Sequence, residues 1–339
     1  MTERVAVCIV TYNSAADLPD CLEAVAAQDH RPLELVVVDC QSGDQSVEVA
    51  REASLPGIPR QVVALDENLG FSGGMNTAFS RTDAPYLLTL NADAAPQSTY
   101  VGRLLARLQP TPRTAAVTGR LVRPSPIGFG TSRLHQGIRL IDACGMVLTR
   151  TWRHLDRGSG KTDRGQWNVP QRVFGATGAA TLFAREALDD VKLGDEVFDP
   201  SFHSYREDAE LCFRFHERGW QVIYEPGAVA EHRRRVVPER RRDLPAAINY
   251  HSLKNRYLLR AYHQTAGNLW RTSVPTLWRD LQALVYVVLF ERSSLAAYAW
   301  LWSHRKQIRA RRHLIQSRRT EPTEAVDQWF SRRSLPLEQ

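Results

Sequence analysis

No two of the five cysteines, Cys8, Cys21, Cys40, Cys144 and Cys212, stand at metal-ligand spacing, which excludes a cysteine-held metal. No secretory leader precedes them, so a reducing cytosol is expected. Long apolar runs are missing too: the best, "LQALVYVVLF" from Leu281 to Phe290, is well short of the roughly 18 residues of a membrane-spanning helix. The chain is expected not to cross a membrane. There is no internal repeat or low-complexity tract, and no GxGxxG, the fingerprint a dehydrogenase needs. "GSGKT" at Gly158–Thr162 is not a P-loop, because Leu155 stands where the motif needs glycine and no buried strand precedes it.

What is present points to an α/β protein. The 339 residues, 43% of them hydrophobic, suffice for one large domain with an appendage. "VAVCIVT", "LELVVVD", "QVVAL" and "YLLTL" read as buried strands with helical patterns between them, so right-handed crossovers and a mostly parallel sheet follow. "REDAELCFRFHERG" reads as a helix closed by Gly219. The polar stretch "TWRHLDRGSGKTDRGQW" is expected to be a mobile loop, and the chain from Leu244 onward to be entirely helical. Charge is segregated: residues 1–230 carry 23 Lys and Arg against 28 Asp and Glu, net −5, and residues 231–339 carry 21 against 9, net +12. A basic partner surface is therefore C-terminal. A nucleic-acid binder would also need aromatic stacking platforms or a helix-turn-helix, and neither is apparent.

Polar residues at strand ends mark where open α/β sheets bind ligands, and Asn13, Asp39, Asn68 and Asp93 each follow a strand end. Taken alone, Asp93 reads more readily as the start of a turn or a cap on the helix starting near Gln97 than as a site residue. The stretch "ENLGFSGGMN" (Glu67–Asn76) reads as a loop in which Gly70, Gly73 and Gly74 let backbone N–H groups approach a phosphate, although such glycines also serve tight turns. Asp208 and Glu207 open a helix, where the macrodipole favours an ionised carboxylate. Consecutive helical residues diverge by about 100°, so only one of the two can face a substrate.

Taken in order, "TYN", "VVVDCQSGDQS", "ENLGFSGGMNTAF", "LNAD", "FGATGAATLFARE", "VFDPSFHSYREDAELCFR" and "AEH" resemble family 2 inverting glycosyltransferases of the GT-A fold, most closely the rhamnosyltransferase-like branch, over about residues 5–260. The resemblance implies a Rossmann-like GT-A catalytic domain over 1–240 (donor side about 1–110, acceptor side about 111–240) and a basic helical region over 241–339. It implies that Thr11, Tyr12, Asn13 and Asp39 hold base and ribose of a nucleotide-sugar, with Asn68, Gly70, Phe71, Gly73, Gly74, Asn76 and Asn91 around nucleotide and diphosphate. Asp93 matches the last acidic position of the family's DxD motif and His232 a second metal ligand, for Mg²⁺ or Mn²⁺. Asp208 matches the general base, and Gly178, Glu207 and Arg214 lie on the acceptor side. Asn91 departs from DxD, Cys40 stands where asparagine is usual, and Glu210 where aspartate is.

The activity so implied is inverting transfer of a sugar, L-rhamnose from dTDP-β-L-rhamnose, to a polyprenyl-diphosphate-linked or growing surface glycan. The alternatives are a UDP-GlcNAc or UDP-galactose donor, or a non-catalytic nucleotide-sugar-binding subunit. Trp278, Trp300 and Trp302 with the cluster Arg305, Lys306, Arg309, Arg311 and Arg312 suggest either peripheral contact with the cytoplasmic face of the membrane or a homodimer interface.

Overall fold

The computed structural model describes residues 3–124, 139–234 and 244–337. The boundary expected near residue 240, and the basic run from Arg235 to Asp243, lie outside them. The chain opens with β1 (Val5–Thr11), α1 (Leu18–Ala26), β2 (Leu33–Asp39), α2 (Ser46–Glu52), β3 (Arg60–Ala64), α3 (Gly70–Ser80) and β4 (Tyr86–Asn91). These strands pair in parallel in the order β4-β1-β2-β3. Alternate residues explain why they read as continuous apolar runs: Val5, Val7 and Ile9 enter one core and Ala6 and Cys8 the other, so both faces of β1 are buried.

The middle comprises β5 (Ala94–Pro96), α4 (Tyr100–Leu108), β6 (Thr114–Val122), β7 (Ile141–Ala143), β8 (Met146–Leu148), β9 (His154–Asp156), β10 (Gln171–Val173), β11 (Ala180–Ala184), α5 (Arg185–Val191), α6 (Glu207–Glu217) and β12 (Gln221–His232). β11 enters the sheet antiparallel between β4 and β6, β12 runs parallel to β6, and β5 and β10 pair antiparallel with β12. The C-terminal region holds α7 (Ala246–His263), α8 (Ala266–Phe290), α9 (Ala296–Ser303), α10 (Arg305–Ser317), α11 (Glu324–Asp327) and β13 (Leu335–Pro336).

Two expectations need correction. Residues 151–167 are not a mobile loop at their start: Trp152 is fully buried, its ring stacked on Phe213 at 5.7 Å and its Nε1–H donating to Thr272 of α8 at 3.0 Å. Sequence polarity around Trp152 hid the anchor. The C-terminal region is not entirely helical either, since β13 extends the sheet antiparallel to β10.

Candidate active site

β1 and β2 end in register, Thr11 opposite Asp39, and the Thr11 hydroxyl donates to Asp39 Oδ1 at 2.7 Å. The buried Asp39 also accepts from Ser42 N–H (2.8 Å) and the Ser42 hydroxyl (2.6 Å). Asn13 accepts from Gly43 N–H at 2.8 Å, and Asn13 and Gln41 have φ of 52° and 61°. That is a left-handed conformation costly for side chains other than glycine. Tyr12 lies 54% exposed beside them. Ser42, which ties the two strand ends together by also accepting from Asn13 N–H at 2.8 Å, was not singled out in the sequence, although it stands three residues after the acidic end of β2.

The glycine segment differs from expectation. The structure begins a helix at Gly70, and the N–H groups of its first turn are already used: Gly70 donates to Asn68 Oδ1 (2.9 Å), Phe71 to Ser204 Oγ (3.1 Å) and Ser72 to the His203 carbonyl (2.9 Å). None of these three donors is left for a phosphate. Gly70 has φ +67°, and a methyl there would collide with the His203 backbone and ring; at Gly74 it would lie 2.8 Å from Val10 and 3.0 Å from Cys40, and at Gly73 2.5 Å from Leu69. These glycines serve close packing. Asn76 is likewise structural: its Oδ1 accepts from Val197 and Phe198 N–H (3.1 and 2.9 Å) and its Nδ2 donates to the Phe198 carbonyl (2.7 Å). Gly70→Ala is expected to destabilise the protein by about 1–3 kcal/mol, measured by urea denaturation; an unchanged midpoint would contradict the docking of residues 203–204 on α3.

On the other side of β1 the sheet brings Asp93 and His232 together. β5 pairs with the end of β12 so that Ala94 faces His232, which sets Asp93 Oδ1 3.3 Å from His232 Nε2, with Asn91 Nδ2 at 3.4 Å from the same nitrogen. The far ring nitrogen, Nδ1, is 2.8 Å from Asp142 Oδ2. Asp142 is buried and also accepts from Arg234 at 3.1 Å, and Arg234 pairs in turn with Asp156. Burial works against a charged His232, yet the hydrogen bonds to Asp142 and Asp93 raise its pKa to about 9. Burial would raise Asp142, but His232 and Arg234 hold it below the ordinary carboxylate value.

This arrangement fits a divalent cation. A carboxylate–histidine hydrogen bond fixes the ring so that Nε2 faces the ion, and adjacent ligands of an octahedral Mg²⁺ lie about 3 Å apart. Among the described residues no group of three or more His, Cys, Asp or Glu could hold a metal. A cation here would take two side chains, Asp93 and His232, and would need diphosphate and water to complete its shell, as is usual for cations held together with a substrate phosphate. Asp142 was missed in the sequence. An acid inside the apolar run "LIDACG" was the available signal.

Asp208 is presented by a strained elbow. His203, Tyr205 and Arg206 all have positive φ (62°, 71° and 75°), and the segment is clamped by the fully buried Asn255 of α7, whose Nδ2 reaches the carbonyls of Phe202, Ser204 and Tyr205 at 2.7–2.8 Å. Non-glycine residues persist in such a conformation only where the surroundings over-determine it. α6 then starts at Glu207. Asp208 Oδ1 accepts from Ala209 N–H (2.7 Å) and Oδ2 from Gly178 N–H (3.3 Å). Gly178 is covered by the Phe71 ring, 2.8 Å from where a Cβ would sit.

Burial pushes the Asp208 carboxyl up to about 6 against the opposing pull of those two N–H groups. Burial, then the Asp208 charge, pushes buried Glu207 well above the carboxylate range. The helix N-terminus, expected to favour ionisation, is outweighed by desolvation. Burial therefore works against ionisation at both acids, and more strongly at Glu207.

Arg214 does not face an acceptor. It is buried, forks onto Glu210 at 2.7–3.1 Å and donates to the carbonyls of Val191 (2.7 Å) and Val197 (2.6 Å). It is a structural cation joining α6 to the last residue of α5 and to the segment that follows.

The family described as Glycosyl transferase family 2 matches residues 6–192, more than half of the chain. The chain belongs to glycosyltransferase family 2. It is a glycosyltransferase of the GT-A fold, and the match spans both the Thr11–Asp39 corner and Asp93. Over 314 residues it is 20% identical to the poly-beta-1,6-N-acetyl-D-glucosamine synthase of Staphylococcus epidermidis, covering 88% of this chain and 63% of that relative's length.

Solved structures share the fold. The mannosyltransferase PcManGT from Pyrobaculum calidifontis, in complex with GDP-Man and Mn²⁺, superposes with a TM-score of 0.54 at 17% identity over 98% of this chain and 89% of that one. TarS residues 1–349 from S. aureus, in complex with UDP-GlcNAc, superposes with a TM-score of 0.55 at 13% identity over 96% and 90%.

Proposed function

We propose that this family 2 enzyme is an inverting, metal-dependent transferase that moves a sugar from a nucleoside diphosphate donor to an acceptor hydroxyl, with Asp208 as general base. The observation that carries the reading is Asp208 at the start of α6, presented by a strained elbow and held by the Ala209 and Gly178 N–H groups, where burial pushes its carboxyl up to about 6. A base with a pKa just below the working pH is mostly ionised yet still accepts a proton readily. The acceptor oxygen attacks the anomeric carbon, its proton passes to the Asp208 carboxylate, and the bond to the diphosphate breaks with its electron pair leaving on the diphosphate oxygen. Attack opposite the leaving group inverts the centre.

Thr11, Tyr12, Asn13 and Asp39 are proposed to hold base and ribose, and Asn68 and Asn91 to face the diphosphate. Mg²⁺ or Mn²⁺, held by Asp93 and His232, would neutralise charge on the departing diphosphate. The proposed donor is dTDP-β-L-rhamnose, on the asparagine at position 91 that resembles the rhamnosyltransferase-like branch. UDP-GlcNAc is the second reading, favoured by the name of the Staphylococcus epidermidis relative and by the ligand of TarS. The acceptor we propose is a glycan or a polyprenyl-diphosphate-linked sugar reached from the cytoplasmic side of the membrane.

The test is a panel of nucleotide-sugars by thermal shift with and without Mn²⁺, because a ligand of the native state raises apparent stability. One donor of the panel should raise Tm only with the metal, and His232→Ala should raise the Mn²⁺ concentration for half-maximal transfer about 10–100-fold. Full turnover in excess EDTA would refute the metal part, and no response to any donor would refute the whole.

A further inference from the structure

We propose that the outer face of α8 docks on an anionic lipid bilayer surface. Trp270, Val274, Leu277, Leu281, Leu284 and Val288 recur along α8 at intervals of four and three residues, and each is between 43% and 87% exposed. At 100° per residue they fall, with Trp278 (63% exposed), within an arc of about 120°. The opposite face is spent on the body: Asn268, Thr272, Thr276 and Val287 are buried, and Asp280 is held by Arg256 and Arg260 at 2.8 and 2.6 Å. An uninterrupted apolar stripe of this length on a helix surface marks an interaction site. Among the described residues no helix is long and apolar enough to cross a membrane, so the stripe is suited to lying on one.

Charge selects the occupant. Arg271, which also pairs with Asp327 at 3.3 Å but stays largely exposed, and Arg292 stand at the two ends of the stripe, Arg305, Lys306 and Arg309 are exposed on α10, and residues 231–339 carry net +12 while residues 1–230 carry −5. An anionic leaflet attracts the region that bears the stripe and repels the rest, so the surface both holds and orients the molecule. A second copy seated on the same face would bring two +12 regions together. The stripe also widens through Trp278 where a two-stranded coiled coil would place charged flanks. Arg311 and Arg312 take no part: Arg311 pairs with Glu196 and Asp199 (3.0 and 3.4 Å), and Arg312 donates to the carbonyls of Ala261, Tyr262 and Gln264. Trp300 is likewise committed, stacked on His304 at 4.1 Å with Lys254 over its ring.

The experiment is co-sedimentation of the full chain with phosphatidylcholine vesicles containing one third phosphatidylglycerol, and with phosphatidylcholine alone. Partitioning to the anionic vesicles should be ~10-fold or more stronger. The pair Leu277→Glu with Leu281→Glu should remove at least ~10-fold of it while leaving the thermal shift by the donor unchanged. Equal recovery in the supernatant with and without vesicles overturns the proposal, as does unaltered vesicle binding by the pair. A lipid-free dimer that the same pair converts to monomer, with no vesicle binding by the wild type, overturns it in favour of a second copy. Should the pair fail to fold, brominated phosphatidylcholine in the anionic vesicles must quench wild-type tryptophan fluorescence, and absence of quenching refutes the contact.

Discussion

Asp208→Asn should lower kcat by roughly 10²–10⁴ and leave donor affinity nearly unchanged, because the carboxylate acts on the acceptor proton. The amide keeps an oxygen for the Gly178 or Ala209 N–H, so the elbow should survive. The wild-type pH profile gives the second half of the test. A group with pKa raised to about 6 must be ionised to act, so kcat/KM should fall tenfold per pH unit below about 6 and level off above it. Asp208→Asn should be slow at every pH, without that limb. Glu207→Gln should keep most of the activity, since burial and the neighbouring Asp208 charge work against an ionised Glu207 and a neutral amide suits the same place. If Glu207→Gln abolished transfer and Asp208→Asn did not, the roles of the two acids would be reversed.

The parallel half of the sheet was legible because burial on both faces leaves an apolar signature that composition alone reveals, as in "LELVVVD". Asn13, Asp39, Asn68 and Asp93 stood out in the sequence for a related reason: polar residues that follow the C-terminal ends of such strands lie where open α/β sheets bind ligands. Residues whose partners lie far along the chain were not legible. Asp142 sits 90 positions from His232 and looks like a flaw in a strand until the sheet brings them to 2.8 Å. Asn76 and Arg214 carry the chemistry of ligand contacts, and only the carbonyls 17 to 122 residues away show that backbone has claimed them. The glycines of 70–74 admit two readings in sequence, because glycine allows both close approach to a ligand and close packing of a helix; in the structure His203, Leu69 and Val10 occupy the space. Asn255, which clamps the elbow from α7, stands in none of the seven segments that carry the resemblance, so no motif pointed to it.

Arg214→Ala should be the most destabilising change on this side of the molecule, at about 3–5 kcal/mol in chemical denaturation. The substitution leaves Glu210 fully buried without its bidentate partner and removes the donors to the Val191 and Val197 carbonyls, each a desolvated acceptor worth about 1–3 kcal/mol when unpaired. Burial alone would raise Glu210. Arg214 and then His263, 3.3 Å away, instead hold it at about 2, from an ordinary 4.5. A carboxylate with a depressed folded pKa contributes stability that is present in full above 4.5 and is lost as pH falls through 2. The wild type should therefore lose about 3 kcal/mol over that window. The variant should lose much less, so the gap between them narrows as acid is added. His263 extends the network to Glu217, at 3.0 Å, and Glu217 also pairs with Arg319, so the same charges fasten α7 and the end of α10 to α6. Replacing both partners, Glu210→Leu with Arg214→Met, should cost less than Arg214→Ala alone, because no unpaired charge remains. A loss under 1 kcal/mol for Arg214→Ala at neutral pH would show that Glu210 finds water or another cation, and that Arg214 is free for the acceptor side after all.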